Sequence, residues 1–332
     1  MHSTLNCSNP EKHALVVGEH GYTYSQVDVQ IQRFASGILA GASDLKEERI
    51  AFLIPASLEY VTTMHGIWRA GGIAIPLNTG SAEAELEHCL TSTGVKRLIA
   101  LEPFLEGIKP LCDRLEIVVS SVSECLSNNL QPMPMLSAER RALIVFTSGT
   151  TSLPKGVVTT HKNIEAQIST LIEAWAWSED DVIPLFLPLH HVHGIINVLS
   201  CALWAGATVH VMPKLNIEKL CAEAVLGTYN LFMAVPTIYV KLIDHLEGLD
   251  PTAAQPIKTA FGAMRLNVSG SAACPVEIFE TWQRLTGQTL LERYGMTEIG
   301  MALSNPYNGE RRAGYVGQPF PGVTVQLFDE ED

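Results

Sequence analysis

The stretch Leu143-Ile144-Val145-Phe146-Thr147-Ser148-Gly149-Thr150-Thr151-Ser152-Leu153-Pro154-Lys155-Gly156 decides how the chain reads. An apolar run marks a buried strand, hydroxyls and glycine follow, and Pro-Lys-Gly closes the segment. An apolar strand opening into a small polar loop is how α/β proteins present backbone N–H groups and hydroxyls to a phosphate chain. The common P-loop does not apply, because G-x-x-x-x-G-K-[ST] cannot be laid over these residues. Lys155 stands between a proline and a glycine, with no helix opening on it. A Ser/Thr-rich surface turn is the plainer alternative.

Strands and helices alternate on both sides of this stretch. Val16–Tyr24 predicts two short strands about a glycine-containing turn, and Ser25 is expected to cap an amphipathic helix running toward Leu39. Arg49–Ile54, Arg97–Ala100 and Glu116–Val119 read as strands, with helices between them. Residues 120–141, rich in Ser, Asn, Pro and Met, read as a surface linker. Beyond the loop, helix is predicted for 161–175, 194–204, 217–226, 237–246 and 276–286. Strand is predicted for 182–188, 208–212, 231–235, 266–269 and 289–292. This rhythm predicts α/β architecture with parallel sheets, and two α/β subdomains with a groove beyond the carboxyl ends of their strands.

Composition limits the function classes. The chain has 332 residues, of which 47% are hydrophobic and 17% charged, as in a globular enzyme. A net charge of −13 argues against general attraction to nucleic acid or anionic membranes, so an anionic substrate must be held by local basic residues. Seven scattered cysteines without a C-x-x-C pair fit a reducing compartment. No membrane span or basic–apolar leader is evident, and a cytoplasmic location is expected.

Other clusters carry chemistry. His190-His191-Val192-His193-Gly194 invites a zinc reading, but no acidic or cysteine ligand lies nearby. Ser269-Gly270-Ser271-Ala272 is a small-residue turn at a strand end, and Glu292-Arg293-Tyr294-Gly295-Met296-Thr297-Glu298 is another strand exit.

Together these segments resemble the adenylate-forming superfamily of acyl-CoA synthetases, luciferases and peptide-synthetase adenylation domains. The opening stretch resembles its S/T-S-G-S/T-T-G-x-P-K-G loop, with Ser152 where glycine is usual. Serine tolerates positive φ less well, so loop mobility or affinity is expected to differ. The resemblance implies that Thr147, Ser148, Gly149, Thr150, Thr151 and Lys155 bind the β- and γ-phosphates of ATP. It implies that the turn carrying Ser269, Gly270, Ser271 and Ala272 approaches adenine and the carboxylate substrate. In the Y-G-x-T-E match, Tyr294 would stack on adenine, Thr297 bond the α-phosphate and Glu298 hold Mg²⁺, a hard cation suited to carboxylate and phosphate oxygen. Glu292, Arg293, Gly295 and Met296 are carried with that motif as nucleotide-binding positions. His193 of the H-x-H-G stretch would line the acyl pocket as a gate or donor.

Within the superfamily, the run from Glu292 to Arg311 and Val316–Val323 look like malonyl-CoA synthetases. Met264-Arg265-Leu266 sits where those chains have the same tripeptide. The resemblance implies that Arg265 and one of Arg311 or Arg312 bind the distal carboxylate of malonate, with Ser269 and His193 nearby. Each alone is more often a solvated surface charge. A pocket built for a second carboxylate strands a cation when acetate binds, at a cost on the order of 3–5 kcal/mol.

The family's chains continue through a T-G-D motif, a hinge and a small domain bearing the adenylation lysine, whereas this sequence ends at Asp332. The expectation is therefore the large N-terminal domain of an adenylate-forming enzyme with its C-terminal domain absent. It would comprise two doubly wound α/β subdomains, roughly 1–160 and 161–298, and the start of a small β subdomain at 299–332. The implied function is an ATP-dependent acid–thiol ligase that activates malonate as an acyl-adenylate and transfers it to coenzyme A. The alternatives are a non-catalytic nucleotide- or acyl-binding module and a synthetase for another short- or medium-chain acid.

Overall fold

A computed structural model describes residues 5–147 and 153–328. The first segment contains β1 (His13–Val17), β2 (His20–Thr23), α1 (Tyr24–Leu39), β3 (Arg49–Leu53), α2 (Leu58–Arg69), β4 (Ile73–Pro76) and α3 (Glu83–Thr93). It continues with β5 (Arg97–Ala100), α4 (Glu102–Arg114), β6 (Val118–Ser121) and β7 (Arg141–Thr147). After the quoted loop come β8 (Lys155–Thr160), α5 (His161–Ala174), β9 (Val182–Leu185), a π-helix (His193–Ser200), α6 (Cys201–Ala205) and β10 (Thr208–Val211). The remainder is α7 (Ile217–Val225), β11 (Leu231–Ala234), α8 (Pro236–Gly248), α9 (Pro251–Ala263), β12 (Leu266–Ser269), α10 (Val276–Thr286), β13 (Leu291–Met296), β14 (Gly300–Ser304) and β15 (Gln318–Pro319).

The chain divides into two compact units, Met1–Ile168 with Leu185–Lys214, and Ser169–Pro184 with Leu215–Asp332. This differs from the contiguous division expected near residue 160. Residues after β9 return to the first unit because β10 pairs in parallel with β1, Leu15 opposite Val209. Such a return is a tertiary pairing that no local pattern encodes.

The first unit holds a six-stranded sheet in the order β6-β5-β3-β4-β7-β8. Its first five strands run parallel, and β8 closes antiparallel on β7. Parallel strands covered on both faces read as continuous apolar runs, and Ile50, Ala51, Phe52 and Leu53 are all buried. Ala51, Ile75, Leu98, Ile108 and Leu111 belong to one core cluster on this sheet. The cap of α1 lies before Ser25: Thr23 Oγ1 accepts from Gln26 N–H at 3.2 Å, and Gln26 Oε1 accepts from Thr23 N–H at 2.9 Å.

The second unit holds β11-β12-β13-β14-β15, parallel through β13 and antiparallel beyond it. β14 and β15 thus continue this sheet. Phe232, Tyr239, Trp282 and Phe261 close a ring of edge-to-face contacts, with centroids 5.0 to 5.7 Å apart. The Tyr239 hydroxyl donates to Val268 O at 2.9 Å, tying α8 to β12. Helix α9 was not expected, since its interior Pro256 argues locally against helix; Asp250 caps it by accepting from Thr252 N–H at 2.9 Å.

Candidate active site

In the first unit, the two ends of the quoted stretch pair as the antiparallel strands β7 and β8. Thr147 ends β7 and faces Lys155 at the start of β8, with Thr147 Oγ1 donating to Lys155 O at 3.4 Å. Ser148, Gly149, Thr150 and Thr151, together with Ser152, lie outside the described residues. The approach to β8 is fastened by a residue the sequence did not single out: His88 of α3 donates from Nε2 to Pro154 O at 2.7 Å. Its ring also meets Phe146 edge-on at 6.3 Å. A cavity of about 150 Å³ follows, lined by Thr147, Pro154, Phe146, His190 and His191 among others.

The predicted apolar helix at 194–204 is a π-helix that becomes α6. Ser200 Oγ donates to Ile195 O, five residues back, at 2.7 Å. Widened turns of this kind are frequent at functional sites. His193 is its first residue and is 4% exposed. A Cβ on Gly194 would lie 2.6 Å from Pro188 O, so the H-x-H-G turn admits only glycine there. Burial, then the neighbouring His191, lowers His190 to about 4, and burial lowers His191. Among the described residues no group of three or more His, Cys, Asp or Glu is arranged to hold a metal, and the three histidines form no such cluster.

In the second unit, the two strand exits lie side by side. β12 pairs with β13 so that Ser269 is opposite Glu292, which sets Gly270 and Ser271 against Arg293. Arg293 is 3% exposed. Its Nη2 donates to Ser271 Oγ at 3.3 Å, while Nε has no hydrogen-bond partner among the described residues. Burial lowers the guanidinium to about 9. It lies so close over Gly270 that a Cβ there would be 2.5 Å from Cζ and Nε. Ser271 takes φ +67, a left-handed conformation uncommon for a residue with a Cβ.

Beyond Arg293 the chain opens to solvent. Tyr294 is 46% exposed, and its ring is available for stacking. Gly295 and Met296 finish β13, and Thr297 and Glu298 lie in the turn before β14. Glu298 is exposed, whereas Glu292 is buried and committed to protein donors. Gly314 N–H reaches Glu292 Oε1 at 3.1 Å, and Cys274 N–H also bonds its carboxylate. Burial raises the Glu292 carboxyl, and these two N–H groups oppose the shift.

The arginines expected at a distal carboxylate each have protein partners. Arg265 Nε and Nη2 donate to the two oxygens of Asp181, each at 2.6 Å, and Nη1 donates to Trp175 O at 2.8 Å. Asp181 is wholly buried, and Ser178 N–H also donates to it at 2.8 Å. Arg265 precedes β12, so Ser269 is four residues along, roughly 13 Å at strand spacing. Arg311 donates to Pro306 O, Thr289 O and Tyr307 O at 3.0, 2.7 and 2.6 Å. Arg312 is exposed and forked onto Glu310 at 2.9 and 3.0 Å. Ser269, Gly270 and Ser271, by contrast, lie at the strand edge beside Arg293. Asp181 sits in the run Glu179-Asp180-Asp181, which reads locally as a solvated acidic turn.

Among the described residues, no helix is long and apolar enough to cross a membrane. A family model described as AMP-binding enzyme matches residues 6–332. The chain is similar to the mitochondrial malonate–CoA ligase ACSF3 of Mus musculus, 41% identical over 305 residues, covering 86% of this chain and 52% of that protein. For the same-named ligase of Homo sapiens the identity is 39%, covering 95% of this chain and 58% of that protein. It thus spans little more than half the length of these relatives. The fold is similar to ATP-bound MatB from Rhodopseudomonas palustris, with a TM-score of 0.85 and 28% identity, covering 96% of this chain and 63% of that one. A malonyl-CoA ligase complex with methylmalonyl-CoA and AMP gives a TM-score of 0.81 at 29% identity, covering all of this chain and 70% of that one. With the family model spanning nearly the whole chain, and with its strand exits carrying the Y-G-x-T-E and Ser-Gly-Ser-Ala segments, the protein belongs to the AMP-binding enzyme family of α/β adenylate-forming proteins.

Proposed function

We propose that the protein carrying this chain is an AMP-forming malonate–CoA ligase, and that Arg293 receives the second carboxylate of the diacid. The observation that carries the specificity is the buried guanidinium of Arg293, whose Nε lacks a hydrogen-bond partner among the described residues. A buried cation without an anion is costly, and a substrate carboxylate arriving beside Ser271 supplies the missing charge. The malonate–CoA ligase names of the relatives support the same substrate.

In the reaction, a carboxylate oxygen of malonate attacks the α-phosphorus of ATP, and pyrophosphate leaves. The thiol sulfur of coenzyme A then attacks the acyl carbon, and AMP leaves. Lys155 and Thr147 are assigned to the β- and γ-phosphates, as are Ser148, Gly149, Thr150 and Thr151. Tyr294 is assigned to the adenine face, with Gly295, Met296 and Ala272 beside it, and Thr297 to the α-phosphate. His193 is assigned to the acyl substrate. Glu298 fits Mg²⁺, being an exposed carboxylate in the turn after β13, of the kind that binds this ion jointly with substrate phosphates. When bound, the ion neutralises developing phosphate charge.

The test is thioester formation by the full-length protein with ATP, coenzyme A and either malonate or acetate. Malonyl-CoA and AMP are expected, with acetate used far less. Equal use of the two acids would overturn the specificity, and nucleotide binding without thioester would favour the non-catalytic module. A cytoplasmic setting, resting on the composition and seven free cysteines, belongs to the same proposal. Recovery in a mitochondrial fraction, in keeping with the name of the animal relatives, would overturn it.

A further inference from the structure

We infer that Glu292 is a positioning residue: it brackets the turn after β12 and the loop around Gly314 onto β13, and so fixes the geometry in which Arg293 meets a second carboxylate. The inference rests on the role proposed for Arg293 and adds to it the device that holds that side chain in place.

Successive residues of a strand point to opposite faces, so Glu292 and Arg293 leave β13 on different sides. The turn after β12 passes from one to the other. Gly270 lies beneath the guanidinium, Ser271 Oγ accepts from Arg293 Nη2, and Cys274 N–H reaches the Glu292 carboxylate. Between these anchors Ser271 holds its left-handed φ of +67. Such a conformation persists only when the surroundings over-determine it.

The same residue holds a second segment. Its Oε1 accepts from Gly314 N–H at 3.1 Å, and its main-chain oxygen accepts from Asn305 N–H at 3.0 Å and Asn305 Nδ2 at 3.2 Å. Asn305 Nδ2 also donates to Tyr315 O at 2.6 Å, next to Gly314. Side chain and carbonyl of one residue thus set the spacing between two loops. Packing alone would be served better by an apolar residue, because burying a carboxylate without a cation is unfavourable. A carboxylate that accepts from two backbone N–H groups accounts for its presence. Glutamine keeps the reach but replaces the charged acceptor by a neutral amide with a single acceptor oxygen, so its hold on the two N–H groups weakens.

Full-length E292Q, R293M and the double variant decide the matter, with kcat and KM for malonate and acetate measured alongside thermal melting. E292Q should lower the malonate-to-acetate ratio of kcat/KM by roughly tenfold, as expected for a lost charge-assisted hydrogen bond, mainly through the malonate KM. In the R293M background it should add nothing, because the side chain it positions is gone. A fall in melting temperature with an unchanged ratio would overturn the inference. So would the same loss of ratio with and without Arg293. If R293M itself leaves the ratio unchanged, the role of Arg293 fails first and takes this one with it. Should E292Q not fold, E292D keeps both oxygens on a shorter arm and must show the same loss, again only when Arg293 is present.

Discussion

Replacing Arg293 with methionine removes a cation while keeping most of its volume. Burial weakens proton binding by the guanidinium until it titrates at about 9. Each tenfold weakening corresponds to about 1.4 kcal/mol, so holding this charge without an anion costs on the order of 5 kcal/mol. A malonate carboxylate beside Ser271 would recover part of that. Recovery of about 3 kcal/mol amounts to roughly a hundredfold preference for malonate over acetate. R293M should therefore lose about a hundredfold in kcat/KM for malonate, leave acetate nearly unchanged, and melt at a higher temperature. Exchanging even a buried ion pair for well-packed apolar groups is neutral or stabilising by about 1–4 kcal/mol, and a charge without an ion-pair partner has no Coulombic gain to lose. The assay is malonyl-CoA and acetyl-CoA formation with calorimetry on the same preparations. A variant that keeps the malonate preference, or that loses stability together with all activity, would refute the reasoning.

Other expectations follow from the same geometry. Gly270→Ala puts a methyl group where the Arg293 guanidinium lies, so malonate preference should fall although no charge is lost, at a stability cost of about 1–3 kcal/mol measured by denaturant melts. Arg265→Ala should leave the malonate-to-acetate ratio unchanged and lower stability by about 3–5 kcal/mol, because it strands the buried Asp181; a collapsed ratio would restore the original assignment. His65 is held neutral by burial and then by Arg69, titrating at about 3 in the folded chain. The unfolded chain binds that proton near pH 6.5, so stability is lost as pH falls from about 6.5 toward 3, at up to about 1.4 kcal/mol per pH unit. His65→Gln should flatten this part of the pH–stability curve, and an unchanged slope would show that other groups cause it.

The strand–helix alternation was legible because parallel strands buried on both faces are written as short apolar runs, as in Arg49–Leu53 and Leu266–Ser269. The antiparallel return of β8 was hidden by the Pro-Lys-Gly that opens it. The π-helix was indistinguishable from an α-helix, since both begin as one apolar stretch, and α9 was hidden by Pro256. The site motifs were legible as words in order, but the partners of each side chain were not.

By itself the sequence determined the α/β class, the resemblance to adenylate-forming enzymes and the segments at which its chemistry is written, because these depend on residues adjacent in the chain. Tertiary structure alone decided which arginine is buried without an ion-pair partner among the described residues. Arg265 finds Asp181 across 84 residues and Arg311 finds Thr289 across 22, while Arg293 meets a glycine and a serine at the neighbouring strand's end. Whether a guanidinium is spent or available depends on where folding places carboxylates and carbonyls around it. The contacts of Arg293 arise from the pairing of β12 with β13, not from the residues beside it in the chain.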